Sequence, residues 1–327
     1  MAGIFKANNP FNTFLLFLYG VALKVPWYLY PLQVHEGKYD GFVYKNMLPE
    51  ITALQSDSPF LYFTIVYLFL FTQAMIFNRI VVNQRLLQKA NYYPAMCYLL
   101  LTSLFPEWNM LSSVLIITTL LIWSFAKMNK LFNTAEPKTI VFDISLIISL
   151  ASFIFQPSIF YAILIAIALI INRPFRIREW VVLFLGIITP YYFLMFQLFF
   201  RENDLKKFKF KLLKPLLPYF HINALNWSLI GLLLLMFIIG LYFVFKYMRK
   251  QVVQVRKCWA LLLFYLLLST LIIIFYSGGV LTYGLLALIP LSAYFASYFF
   301  YSRYRLFLII SHWLLVALII YTGFFIK

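Results

Sequence analysis

Apolar residues in this chain gather into runs of about 20, the length that crosses a bilayer core as an α-helix. Eleven runs stand out, roughly 11–31, 59–78, 92–106, 110–127, 139–155, 158–172, 180–200, 224–246, 257–276, 280–300 and 305–326. The third and sixth are short. Between the third and fourth lies only "PEWN", and between the fifth and sixth only "QPS". The pattern predicts an all-α, polytopic transmembrane bundle of about eleven helices.

Orientation follows from Lys and Arg, which collect in loops on the cytoplasmic side. With the N-terminus inside, most of the 27 basic residues fall on that side, and the tight turns "PEWN" and "QPS" carry none. The C-terminus then lies outside. Glu36, Asp40, Glu50, Asp57, Glu107, Glu202 and Asp204 fall outside, and Glu136, Asp143 and Glu179 lie at or near the inner face. Two sizeable polar loops, 32–58 and 201–223, share the outer side and can meet above the bundle. No internal repeat is evident, and eleven spans with one long loop near the start divide unevenly, which weighs against an inverted-repeat transporter.

Composition agrees with this placement. The chain is 64% hydrophobic and 11% charged, against about 25% charged for a soluble domain. A formal net charge of +17 resembles that of a nucleic-acid binder, but the basic residues are scattered through short loops, so topology accounts for most of them. The start, "MAGIFKANNPF", leads into a run too long for a signal h-region and lacks a small-residue cleavage site, so the first helix is expected to stay. Cys97 and Cys258 read as packing residues, and His35, His221 and His312 are too scattered to assemble a metal site.

The candidate chemistry lies outside. Glu36 and Asp40 in "PLQVHEGKYDGFVYKNML" are four apart; on a helix they would share a face and perturb each other, although Gly37 and Gly41 weaken a helix there. A carboxylate partly desolvated at the membrane surface can have its pKa raised toward a general-base value. In the second loop, Arg201, Lys206, Lys207, Lys209, Lys211 and Lys214 alternate with Leu and Phe, which suits the headgroup layer and a lipid-linked phosphate or anionic headgroups. Lys24, two residues before Pro26, would snorkel or face an outer cavity. His312 and Asp143, within other spans, would form a proton relay with Lys24 only if the three met; otherwise they serve as polar helix contacts.

The succession of a first span, a long acidic outer loop, span pairs joined by "FPEWN" and "FQPS", then "INRPFRIREWVVLFLGIITPYYFLMF" and a large outer loop resembles the seven-helix core of the GT-C superfamily of membrane glycosyltransferases. The likeness covers about residues 1–220, leaving 221–327 as a C-terminal four-helix module. It implies transfer, on the outer face, of a sugar carried on a polyprenyl phosphate. It further implies that Asp40 in "YDGFVY" acts as base toward the acceptor hydroxyl, with Glu36 supporting it or holding a divalent cation. Arg201, Lys206, Lys207, Lys209 and Lys211, with Lys24, would meet the carrier phosphate. The adjacent Asp-Glu pair of many members is absent, and the usual acid of the second outer turn is represented by Glu107. The chain is also similar to an uncharacterised bacterial family of polytopic inner-membrane proteins. A non-catalytic subunit of an envelope complex and a lipid or solute transporter remain as alternatives. The expected setting is the bacterial inner membrane, with membrane lipids as neighbours and no nucleic acid.

Overall fold

The computed structural model describes residues 3–325 apart from 8, 133, 201–223, 279 and 303. Among the described residues the backbone forms α1 (Phe11–Leu29), α2 (Phe42–Asp57), α3 (Pro59–Asn83), α4 (Tyr93–Thr102), α5 (Ser113–Met128) and α6 (Pro137–Ile154). There follow α7 (Ala162–Asn172), α8 (Ile177–Phe200), α9 (Ala224–Met248), α10 (Val253–Tyr276), α11 (Leu285–Tyr301) and α12 (Arg305–Phe325). Every apolar run falls on one of these helices. The additional helix, α2, occupies the later part of the first polar loop.

Long apolar runs become helices in lipid because only intra-segment hydrogen bonding satisfies their backbone there. Proline marks several starts, at Pro59, Pro94 and Pro137, where a missing N–H costs nothing. Among the described residues, helices α3, α5, α6 and α8–α12, eight in all, are long and apolar enough to cross a membrane. The chain is therefore a multi-pass membrane protein. Helices α4 and α7, at 10 and 11 residues, are shorter, and α1 carries Lys24 and Pro26.

Helix α11 is the centre of the bundle, with 83% of its apolar window buried; it packs on α4, α5, α9 and α10. A helix apolar all round belongs in such a position. Helices α8, α9 and α12 lie outermost and leave Phe184, Ile188, Ile238 and Ile310 exposed, as lipid-facing helices do. Residues on both sides of position 220 contribute to one hydrophobic core cluster.

Helix α6 makes two contacts that set the geometry at its ends. It runs parallel to α8: Gly186 sits against Phe142 and Ser145, and a Cβ there would stand 2.9 Å from the Phe142 carbonyl oxygen, so only a hydrogen allows this approach. Further along, the Ser149 hydroxyl donates to the Ile187 carbonyl at 2.8 Å and Ser152 meets the Tyr191 hydroxyl at 2.5 Å. At its C-terminal end α6 meets the first loop, through an antiparallel bridge between Asp40 and Phe155.

Candidate functional site

Four connecting segments converge at that end of the bundle. The Asp40–Phe155 bridge joins the first loop to the 3-10 turn Gln156–Tyr161. The Trp108 indole N–H, in the turn Pro106–Asn109, donates to the Leu281 carbonyl at 2.8 Å. Tyr283, in the turn Leu281–Gly284, meets the Phe155 ring edge-on with centroids 5.0 Å apart. Tyr44 of α2 donates to the Leu111 carbonyl at 2.9 Å.

Asp40 lies at the focus and is 3% exposed. Residues 31–37 are irregular, and a turn then folds the chain back, the Asp40 N–H donating to the Gly37 carbonyl at 3.2 Å. The Gly37 N–H returns a bond to Asp40 Oδ2 at 2.6 Å, and the Ser113 hydroxyl at the start of α5 donates to Oδ1. The backbone on either side is fastened to α6: Gly41 N–H to Ile154 O at 2.8 Å and Gln156 N–H to Tyr39 O at 3.0 Å. The first of these satisfies one of the carbonyls that a helix end leaves open. Burial pushes the Asp40 pKa up; the Ser113 hydroxyl, the Gly37 N–H and the Lys45 ammonium draw it partly back, and Glu36 adds to the rise.

The helical spacing considered for Glu36 and Asp40 is not what brings them near each other. Residue 36 lies in irregular backbone and α2 begins only at Phe42, because the turn at 37–40 and the bridge at 40–41 require non-helical conformations. Glu36 instead points outward and pairs with Lys45, its side chain 53% exposed, while Asp40 points inward. A resident divalent cation does not fit this arrangement. Both Asp40 oxygens already accept hydrogen bonds, Glu36 is paired with a lysine, and the described residues include no group of three or more His, Cys, Asp or Glu side chains able to hold a metal.

Lys24, expected among the phosphate contacts, is instead enclosed. It is 1% exposed, and its ammonium donates to Asn109 Oδ1 at 2.5 Å and Thr102 Oγ1 at 3.2 Å. Asn109 is itself held by donating to the Thr102 and Phe105 carbonyls, both at 2.9 Å. Among the described residues no carboxylate pairs with Lys24. Replacing Asn109 with Leu leaves the amine with Thr102 alone and is expected to cost about 2 kcal/mol, the scale of a hydrogen bond to a charged group. Adding Lys24→Met to Asn109→Leu should recover part of that loss, since replacing both partners by apolar side chains leaves neither one stranded. Thermal melts of the single and double variants in detergent check this: independent losses from the two substitutions would mean that the contact is not energetically coupled.

The three intramembrane ionisable groups do not meet. Asp143 pairs with Lys127 at 2.5 Å, and His312 stacks on Tyr19 with centroids 5.8 Å apart, so among the described residues no relay links them to Lys24. Cys97 and Cys258 are buried and unbonded. Arg201, Lys206, Lys207, Lys209, Lys211 and Lys214 lie outside the described residues, as does His221.

Glu107, which the sequence placed in the second outer turn, lies at this end together with groups that the sequence did not single out, among them Gln156 and Ser158. Glu107 Oε2, Gln156 Oε1 and Ser158 Oγ are buried with no hydrogen-bond partner among the described residues, and burial raises the Glu107 pKa. Two edge-on ring pairs pack here, Tyr39 with Tyr276 at 5.4 Å and Phe155 with Tyr283 at 5.0 Å. Nothing in their spacing marks them; the one local signal is Gly41 directly after Asp40. Comparison with protein-family models, with curated proteins and with solved structures returns no match to this chain.

Proposed function

We propose that this protein is a glycosyltransferase of the GT-C kind, or a descendant of one, spanning the bacterial inner membrane eleven times with its N-terminus inside and the Asp40 end outside. The observation that carries the reading is Asp40 itself: a carboxylate enclosed by aromatic side chains, hydrogen-bonded to a hydroxyl, where four connecting segments meet. Buried polar atoms without partners on Glu107, Gln156 and Ser158 lie among the same segments, and buried polar groups ordinarily have partners. Hydroxyls of a sugar or acceptor would supply them.

In this mechanism the acceptor hydroxyl takes the place of the Ser113 hydroxyl at Asp40 Oδ1 and gives its proton to the carboxylate. Its oxygen bonds to the anomeric carbon of the donor while the bond from that carbon to the polyprenyl phosphate breaks, the electron pair leaving with the phosphate. Arg201, Lys206, Lys207, Lys209 and Lys211 would neutralise that charge from the second outer loop. Lys24 is left out, because its ammonium is committed to Asn109 and Thr102.

The pH dependence tests the base. A base works ionised, so transfer from a polyprenyl-phosphate-linked sugar should rise with pH through the Asp40 pKa, above the ordinary value of 3.8, and then level off. An acid limb at the ordinary carboxylate value would remove Asp40 from that role. Stability runs the other way. The folded state holds the Asp40 proton more tightly than the unfolded chain, so this contribution is full below the unfolded pKa and is lost as pH climbs through the folded one. Glu107 acts with the same sign.

A second reading, a non-catalytic subunit of an envelope complex, is favoured by one observation: both Asp40 oxygens are satisfied internally, as a structural clasp requires. Stoichiometric co-purification of partner proteins, with no transfer from any lipid-linked sugar, would support it.

A further inference from the structure

The end of the bundle opposite Asp40 holds a cavity of about 910 Å³, walled by residues 135–139 at the start of α6 and 175–179 at the start of α8. Helix α6 spans 18 residues, so the cavity lies ~27 Å from the Asp40–Phe155 bridge. It owes nothing to the function proposed for that site.

Its electrostatics are one-sided. Lys138, Arg176 and Arg178 line it, opposed by Glu136 and Glu179. Glu179 is already neutralised by Arg173, whose Nε lies 3.2 Å from its carboxylate and which does not line the cavity. Among the described residues the ion pairs are Lys45–Glu36, Lys127–Asp143 and Arg173–Glu179, and none involves Lys138, Arg176 or Arg178. The parallel packing of α6 on α8 adds to this, since both helices present their N-terminal, positive ends to the same space. The side chain of Glu136, the N-cap of α6, makes no capping bond. Phe175 and Ile177, 73% and 69% exposed, stand at the rim, where an acyl chain beside a headgroup would lie.

We propose that this cavity is a phosphate-binding site, recognising the phosphate of an anionic lipid headgroup or of a soluble ligand through Lys138, Arg176 and Arg178. The three basic side chains supply charge-assisted bonds. The apolar rim favours the lipid source.

The test compares the full-length protein with a Lys138→Ala/Arg176→Ala/Arg178→Ala variant and with a control, Lys246→Ala/Arg249→Ala/Lys250→Ala. The control removes the same charge from the α9–α10 junction; all six side chains are exposed, and melts verify folding. Retention of phosphatidylglycerol over phosphatidylcholine, read by native mass spectrometry from mixed nanodiscs, should fall about tenfold or more in the first variant and change little in the control. Inorganic phosphate titrated into detergent-solubilised protein forms the second arm. Heat of binding that is lost in the first variant, without selective lipid retention, assigns the site to a soluble phosphate; retention without such heat assigns it to the headgroup. Equal losses in variant and control, or no loss in either arm, would overturn the proposal, because the cavity would then contribute no more than scattered surface charge.

Discussion

Asp40→Asn is expected to abolish sugar transfer while the protein folds and inserts as before. Asparagine can turn its oxygen toward the Gly37 N–H and its amide toward Ser113, whose hydroxyl accepts as readily as it donates, so both contacts of the carboxylate have replacements. What the amide cannot do is take a proton, and loss of a positioned general base costs about 10²–10⁴-fold in rate. Stability should hold or improve slightly, since a buried charge is removed. Asp40→Ala makes the contrast: it strands the Gly37 N–H and should lower the melting temperature. The assay uses purified protein with a polyprenyl-phosphate-linked sugar. If the asparagine variant transfers sugar at the native rate, Asp40 is a clasp and the scaffold reading takes over.

Gly41→Ala is expected to have the largest effect on stability, about 3 kcal/mol or more, the upper part of the range for overpacking a filled site. A Cβ at Gly41 would stand 2.0 Å from the Phe153 carbonyl oxygen and 2.9 Å from the Ile154 nitrogen, backbone atoms at the end of α6 that cannot swing aside. The strain falls on the bridge that holds Asp40, so the Gly41 N–H bond to Ile154 and the enclosure of the carboxylate should loosen together. Gly231→Ala is the matched control, because a Cβ there meets nothing within 4 Å. Thermal melts in detergent, with a pH titration of each variant, measure both consequences. A Gly41→Ala protein as stable as the native chain would mean that the first loop is not fastened to α6 as described.

The sequence by itself determined the bundle. In lipid a long apolar run can satisfy its backbone only as a helix, so each of the eleven runs became one, and the turns "PEWN" and "QPS" were legible as places where α4 and α6 give way to the next helix. It also singled out Asp40 and Lys24 as ionisable groups in unusual company. Which way they face was decided by the tertiary structure. A spacing of four residues says nothing about orientation once the backbone leaves the helix, and here the Gly37–Asp40 turn sends Asp40 inward and leaves Glu36 outside with Lys45. Lys24 finds its partner 85 residues away in Asn109, and no pattern local to α1 could have announced it. The parallel contact of α6 with α8, and the basic cavity it opens, likewise depend on how separate helices dock: hydrophobicity commits a segment to the membrane and to helix, while neighbours and register come from side-chain packing between segments remote in sequence.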